Sequence, residues 1–174
     1  LSSAMFPFTR NADLSHTAVV LPAHPAVEDA TLLLSLMAQS GRNTGVPTNY
    51  VHVYTGVPQQ DSGHEQLADS DVLVIGSLKN SELLNPILQG SAFSLNETSL
   101  EINTPDTLRH VISLLKGDWS RNDADAASYL SDTNQWRGFL SLRSPWNPQR
   151  VVVVATATDG KQLQLLPVDM NKPA

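Results

Sequence analysis

Arg150-Val151-Val152-Val153-Val154-Ala155-Thr156-Ala157 is the stretch whose reading decides the fold. Four consecutive valines are stiff at χ1 and fit a pleated sheet surface. A strand this apolar would waste half its apolar area if one face met water. It belongs in the middle of a parallel sheet covered by helices on both faces. Thr158-Asp159-Gly160 follows, and then Lys161 to Leu166, which reads as the start of a helix. A glycine between strand and helix raises the question of a phosphate site, because a helix N-terminus presents free N–H groups. That turn has one glycine and an aspartate that would repel an anion, so the strand reads as a central structural rib.

Outward from this rib, strands alternate with helical segments. Thr17 to Leu21 is a short strand stopped by Pro22, which lacks the ladder N–H. Asn49 to Tyr54 alternates as a second strand, and Asp71 to Gly76 is a third, apolar on both faces. Trp136 to Leu142 is a strand that reaches the rib through Ser144-Pro145-Trp146-Asn147-Pro148. So short a turn makes that pair antiparallel. Val27 to Gln39 reads as a helix with Glu28 and Asp29 in its first turn, where the dipole favours acids. Val27, Thr31, Leu34 and Ala38 recur at helical spacing as its apolar stripe, broadened by Leu32, Leu33, Leu36 and Met37, with Gly41 as C-cap. Gln59 to Ser70 is polar and reads as a loop. Ser81 to Leu88 is a short helix broken or kinked near Pro86. Ser91 to Asn103 fits a hairpin or an edge strand. Thr104 and Pro105 open a helix that ends at Gly117, and another is expected around Asp123 to Leu130. The alternation predicts an α/β layered fold with a largely parallel sheet.

With 174 residues, 41% apolar and 16% charged, one folded domain is expected. We divide the chain into a leading segment, 1–16, whose Phe6 and Phe8 pin it to the surface, and a single domain, 17–174. The net charge of −6 and the scattered Lys and Arg argue against nucleic acid as a partner. Zero cysteines exclude disulfides and thiolate zinc sites. No stretch approaches the ~20 apolar residues of a membrane-spanning helix. Leu1-Ser2-Ser3-Ala4-Met5 reads as neither a signal peptide nor a translation start, so a fragment of a longer chain is expected.

In an open α/β sheet, ligands bind at the carboxyl ends of the strands. Pro22-Ala23-His24-Pro25 offers no glycine-rich nest there. Gly76-Ser77-Leu78-Lys79-Asn80-Ser81 could hold an anion but also reads as an ordinary βα turn. No dinucleotide, P-loop or G-x-S-x-G motif occurs. The histidines show no metal spacing, and His110 falls on a helix surface. Asp69 and Asp71 read as solvated charges at the start of a strand. Trp119, Trp136 and Trp146 are candidate sugar contacts, since pyranose faces stack on exposed aromatic rings; the alternative is that they cover helix–sheet edges. The residues alone identify no catalytic residue, cofactor site or metal site.

Three stretches carry a resemblance: Phe6-Pro7-Phe8-Thr9-Arg10 through Asp13-Leu14-Ser15 to Pro22; Gly41 with Thr44-Gly45-Val46-Pro47; and Ser144-Pro145-Trp146-Asn147-Pro148-Gln149-Arg150-Val151. Together they resemble the periplasmic regulatory subunit of bacterial cellulose synthase, in its second, membrane-proximal flavodoxin-like domain. The resemblance implies a flavodoxin-like three-layer sandwich and no reaction or cofactor of its own. It implies as partners the catalytic glycosyltransferase subunit, the carbohydrate-binding domains of the parent chain and the glucan polymer. It further implies a periplasmic location, tethered to the inner membrane by a parent-chain anchor absent from this sequence. The resemblance also implies a complex activated by cyclic di-GMP, a ligand that family descriptions sometimes assign to this subunit; no Arg-rich site for it is visible in these residues. The alternative reading is a nucleotide- or flavin-binding α/β domain.

Overall fold

The computed structural model describes residues 8, 14–46, 50–91, 93–97, 99–102 and 135–170. The valine run is a strand, Val151–Ala157, flanked on one side by Asp71–Ile75 and on the other by Arg137–Arg143. Among the described residues the strands in chain order are β1 Thr17–Leu21, β2 His52–Thr55, β3 Asp71–Ile75, β4 Phe93–Asn96, β5 Ser99–Ile102, β6 Arg137–Arg143 and β7 Val151–Ala157. The helices are α1 Val27–Thr44, α2 Asp61–Ala68, α3 Ser81–Leu88, α4 Gly160–Leu163 and α5 Leu166–Met170. Five strands form one sheet in the order β2-β1-β3-β7-β6. All its pairs are parallel except β6–β7, as the short connecting turn requires. The β4–β5 hairpin is a separate antiparallel pair. This is the expected mixed α/β architecture, consistent with a flavodoxin-like sandwich.

Side-chain alternation along the strands divides the interior in two. Val19, Leu21, Leu73, Ile75, Val153 and Ala155 point to one face, where Leu32 and Leu36 of α1 and Leu163 and Leu166 cover them. Ala18, Val20, Val72, Val74, Val152 and Val154 point to the other, under Leu67 of α2, Leu83 and Leu84 of α3, and Phe93 and Leu100 of the hairpin. β7 is buried at six of its seven positions, so its reading as a central rib holds. Phe8 does more than pin a leading segment to the surface. It is 4% exposed within the α1-side core, alongside Leu14, so residues of 1–16 contribute to the domain interior.

The local reading is corrected at several places. Residues 61–68, expected as loop, form α2. Its sequence offers one strong apolar anchor, Leu67, so its periodicity is weak; Leu67 is fully buried and Gly63 lets the helix pack onto Pro58. A Cβ on Gly63 would lie 2.5 Å from Pro58 Cβ. Gly63→Ala therefore lowers the unfolding free energy by about 1–3 kcal/mol, as overpacking does. Urea denaturation checks it: an unchanged midpoint would show that the Pro58 contact yields freely. α1 runs past Gly41 and ends at Gly45, whose φ of 69° takes the left-handed conformation that glycine tolerates; its N–H donates to the Gly41 carbonyl at 2.9 Å. α3 continues unbroken through Pro86, whose ring is exposed. The expected stripe on α1 faces the wrong way. Val27 and Leu34 are 80% and 69% exposed, and the core side is Leu32 and Leu36 with Leu33 and Met37. The helices expected at Thr104–Gly117 and Asp123–Leu130, with His110, lie outside the described residues.

Candidate functional site

Three loops meet at the carboxyl edge of the parallel strands. β1 leads through Pro22 to α1, β3 leads through Ser77 to α3, and β7 leads through Asp159 to α4. The strand order reverses between β1 and β3, the position where open α/β sheets take ligands. A cleft of about 470 Å³ opens there. His24 and Ala26 line it from the first loop, Ser77, Lys79 and Asn80 from the second, and Asp159, Gly160 and Lys161 from the third. Glu28 and Asp29, in the first turn of α1, form the remaining wall. Each loop is legible in the sequence as a strand end, but only the crossovers bring them together.

Backbone bonds hold the edge in shape. Beyond the end of β3, Gly76 N–H donates to the Ala155 carbonyl at 3.2 Å and Leu78 N–H to the Ala157 carbonyl at 2.8 Å. The β3 and β7 loops therefore leave the sheet side by side. Asn80 Nδ2 donates to the Ser77 carbonyl at 3.3 Å, closing the turn into α3. Ser77 is buried, and its Oγ accepts from Asn80 Nδ2 at 3.4 Å. That hydroxyl is paired with an amide, which activates no nucleophile.

The electrostatics of the cleft oppose an anion. Nothing on the Ala26 side chain can cap α1, so Asp29 does it, its Oδ2 accepting the Ala26 N–H at 2.8 Å. Glu28 lies over the backbone of Gly160: a Cβ there would sit 3.2 Å from Glu28 Cδ. Asp159 caps α4 by accepting the Gln162 N–H at 2.8 Å. Two carboxylates thus occupy the first turn of α1, where a phosphate would be held, and a third caps the neighbouring helix. Lys79 and Lys161 sit at the exposed rim. The sequence argument that Asp159 spoils a phosphate site agrees with this geometry; the roles of Glu28 and Asp29 follow from the meeting of α1 and α4.

Asp29 is buried, and burial pushes its carboxyl above the ordinary aspartate value, with Glu28 repulsion adding and the Ala26 N–H opposing. An acid whose folded pKa is raised stabilises the fold fully below its unfolded pKa of about 3.9, and that contribution is lost as pH rises through the folded value. Asp29→Asn keeps an oxygen for the Ala26 N–H and removes the charge. It is expected to flatten the decline of Tm with pH above about 3.9 and to raise Tm at neutral pH. Differential scanning calorimetry over a pH series reads both; an unaltered pH slope would count against the buried-charge account. Asp29→Ala, which loses the cap, costs about 1 kcal/mol at acidic pH, where the charge is already neutralised.

The tryptophans part company. Trp136 is 2% exposed within the core that faces α2, α3 and the hairpin, which leaves no ring face for a sugar. Trp146 is partly buried against the same cluster. Trp119 lies outside the described residues. The aspartates at the start of β3 also differ from expectation. Asp71 is 3% exposed; its Oδ1 accepts the Val151 N–H at 3.0 Å and its Oδ2 lies 4.0 Å from Arg150 Nη1. It tethers the start of β7 to β3, whereas Asp69 stays in solvent, near His16 and Arg150.

The Ser144–Val151 stretch acts as a clamp on that same edge. Ser144 Oγ accepts the Trp146 and Asn147 N–H groups at 3.2 and 3.3 Å, and Asn147 Nδ2 donates to the Ala68 carbonyl at 2.8 Å. Its distinctive sequence is thus explained by turn chemistry.

The chain is similar to known proteins along most of its length. The family model described as "Cellulose synthase BcsB, second FD domain" matches residues 1–155. A protein of Komagataeibacter sucrofermentans named "Cyclic di-GMP-binding protein" is 30% identical over 168 residues, covering 95% of this chain and 20% of that protein. A protein of Escherichia coli K12 with the same name is 27% identical over 169 residues, with the same coverage. "Cellulose synthase 1" of Komagataeibacter xylinus is 29% identical over 171 residues, covering 95% of this chain and 11% of that protein. The chain therefore spans about a fifth or less of the length of these relatives. No described helix is long and apolar enough to cross a membrane.

Proposed function

The chain belongs to the family of the second FD domain of cellulose synthase BcsB, and from that premise we propose that it is a non-catalytic structural and regulatory domain of the regulatory subunit of a cellulose synthase. In this reading it supports assembly with the catalytic glycosyltransferase subunit and the passage of the growing glucan through the periplasm. Carbohydrate-binding domains and a membrane anchor elsewhere in the parent chain would complete that subunit and tether it to the inner membrane. The observation that carries the reading is the family match over residues 1–155.

The cleft bears on the flavin or nucleotide alternative. Glu28 and Asp29 stand in the first turn of α1, and a carboxylate there competes with a phosphate for the same N–H groups. Several relatives are named for cyclic di-GMP; we place the action of that ligand elsewhere in the assembly, because two phosphates approaching these carboxylates would be repelled. If glucan touches aromatic rings of this domain, Trp146 and Trp119 are the residues to carry the contact.

The test is an exchange in a cellulose-producing bacterium. Replacing the matching domain of its BcsB protein with this chain is expected to preserve cellulose output, and deleting that domain to abolish it. Full output after deletion would sink the proposal. The purified chain should be colourless and release no heat on titration with cyclic di-GMP; a flavin absorption band would restore the alternative.

A further inference from the structure

Asp159-Gly160 is the one place in the sequence where a glycine follows an aspartate or asparagine. Such a pair is chemically labile. The side-chain carboxyl carbon and the next backbone nitrogen can close a five-membered ring, and glycine puts no side chain in the path of that attack.

The fold needs both residues. A Cβ on Gly160 would lie 3.2 Å from Glu28 Cγ and Cδ and 3.4 Å from Glu28 Cβ, so the approach of α1 selects glycine. Asp159 caps α4, its Oδ1 accepting the Gln162 N–H at 2.8 Å. The cap holds the carboxyl over the first turn of α4, the end at which the Gly160 N–H also lies. Among the described residues that N–H donates to no acceptor, so no hydrogen bond ties up the nitrogen. Both residues are half-buried and line the cleft, within reach of water. Ring closure requires rotation about ψ of Asp159 from its extended value of 175°, and the short α4 is the element that must yield.

We propose that the Asp159–Gly160 peptide is a site of spontaneous aspartate isomerisation, through which the β7–α4 turn ages. The Gly160 nitrogen attacks Asp159 Cγ, the nitrogen gives up its proton, and a carboxyl oxygen leaves as water. The product is a cyclic imide. Water then adds to one of its two carbonyls. Addition at the side-chain carbonyl restores aspartate; addition at the former backbone carbonyl leaves isoaspartate, with the chain running through the side-chain carbon. One water leaves and one enters, nothing is oxidised or reduced, and no partner or cofactor is required. The backbone gains a methylene at the cap of α4, the free carboxylate is displaced from the Gln162 N–H, and Gly160 moves relative to Glu28.

Prolonged incubation of the folded chain at neutral pH, followed by peptide mapping with electron-transfer fragmentation, tests this. Isoaspartate is expected at position 159, accumulating severalfold faster than at exposed Asp61, whose neighbour is Ser62. The aged fraction should have a lower Tm than the fresh chain. Asp159→Ser keeps a capping hydroxyl and cannot form the imide. That variant should lack modification at 159 and hold its Tm over the same incubation. Isoaspartate at 159 no faster than at Asp61 overturns the proposal. So does isoaspartate that forms only in urea, since the cap would then protect the pair. Equal loss of Tm on ageing in the wild type and in Asp159→Ser overturns the structural consequence.

Discussion

Trp136→Ala lowers the unfolding free energy by about 3–5 kcal/mol, the range for deleting a buried aromatic side chain. For a domain of this size that is a fall in Tm of roughly 10 °C. Trp136 is 2% exposed and packs in the cluster that includes Leu140 and Val154. Its backbone is fixed as well: Thr158 N–H donates to its carbonyl at 2.9 Å, and its own N–H donates to Thr158 Oγ1 at 3.2 Å. Removal of the ring therefore leaves a cavity that the pinned backbone cannot close. Trp146→Ala, at a partly buried position, should cost less. Thermal and chemical denaturation of both variants decide the point. Near-equal losses would mean that the Trp136 site collapses around the truncated side chain.

Asp169→Ala is the second large effect. Arg137 on β6 donates to Asp169 on α5 through Nε at 2.6 Å and Nη2 at 3.1 Å, and its Nη1 donates to Gln162 Oε1 at 2.6 Å. The side chains are 27% and 12% exposed. Removing Asp169 takes the carboxylate from a partly buried guanidinium that keeps its bond to Gln162, and the loss is expected at about 3 kcal/mol, the low end for breaking a buried pair. Replacing both with apolar residues, Arg137→Met and Asp169→Leu, should recover much of that loss, since the desolvation of both charges disappears together. A double-mutant cycle measured by urea unfolding reads the coupling directly. A cycle that closes with no coupling would show that the pair contributes nothing. The same variants report on the fold: α5 should loosen from β6 in Asp169→Ala, visible as faster amide exchange in residues 160–170.

The strands are legible because burial on both faces leaves a mark in composition alone. Val151–Val154 and Val72–Ile75 carry no polar residue for either face, and only a covered central strand tolerates that. The antiparallel turn of β6 into β7 is legible from its length. Helix α2 is not, because Asp61-Ser62-Gly63-His64-Glu65-Gln66 offers no apolar period; it forms because Leu67 finds a pocket and Gly63 meets Pro58. Which side of α1 faces inward is ambiguous in the sequence, because Leu32, Leu33, Leu34, Leu36 and Met37 cover more than one half of the helix. The contest is settled by where β1, β3 and β7 place their own side chains. Asp71 reads as a solvated charge because its partner, the Val151 N–H, is 80 residues away in the chain.

Local chemistry along the chain sufficed for the α/β class, the central position of the valine strand, the antiparallel β6–β7 pair and, through three short stretches, the family. Side-chain branching, strand-ending prolines and turn length all act within a few residues, so their consequences can be read in order. Tertiary packing was needed to show that Glu28, Asp29 and Asp159 share one cleft, that Trp136 is core, and that the stripe from Val27 to Ala38 faces outward. Each depends on how segments far apart in sequence are packed over a common sheet, and a packing direction is set by the neighbours a side chain meets.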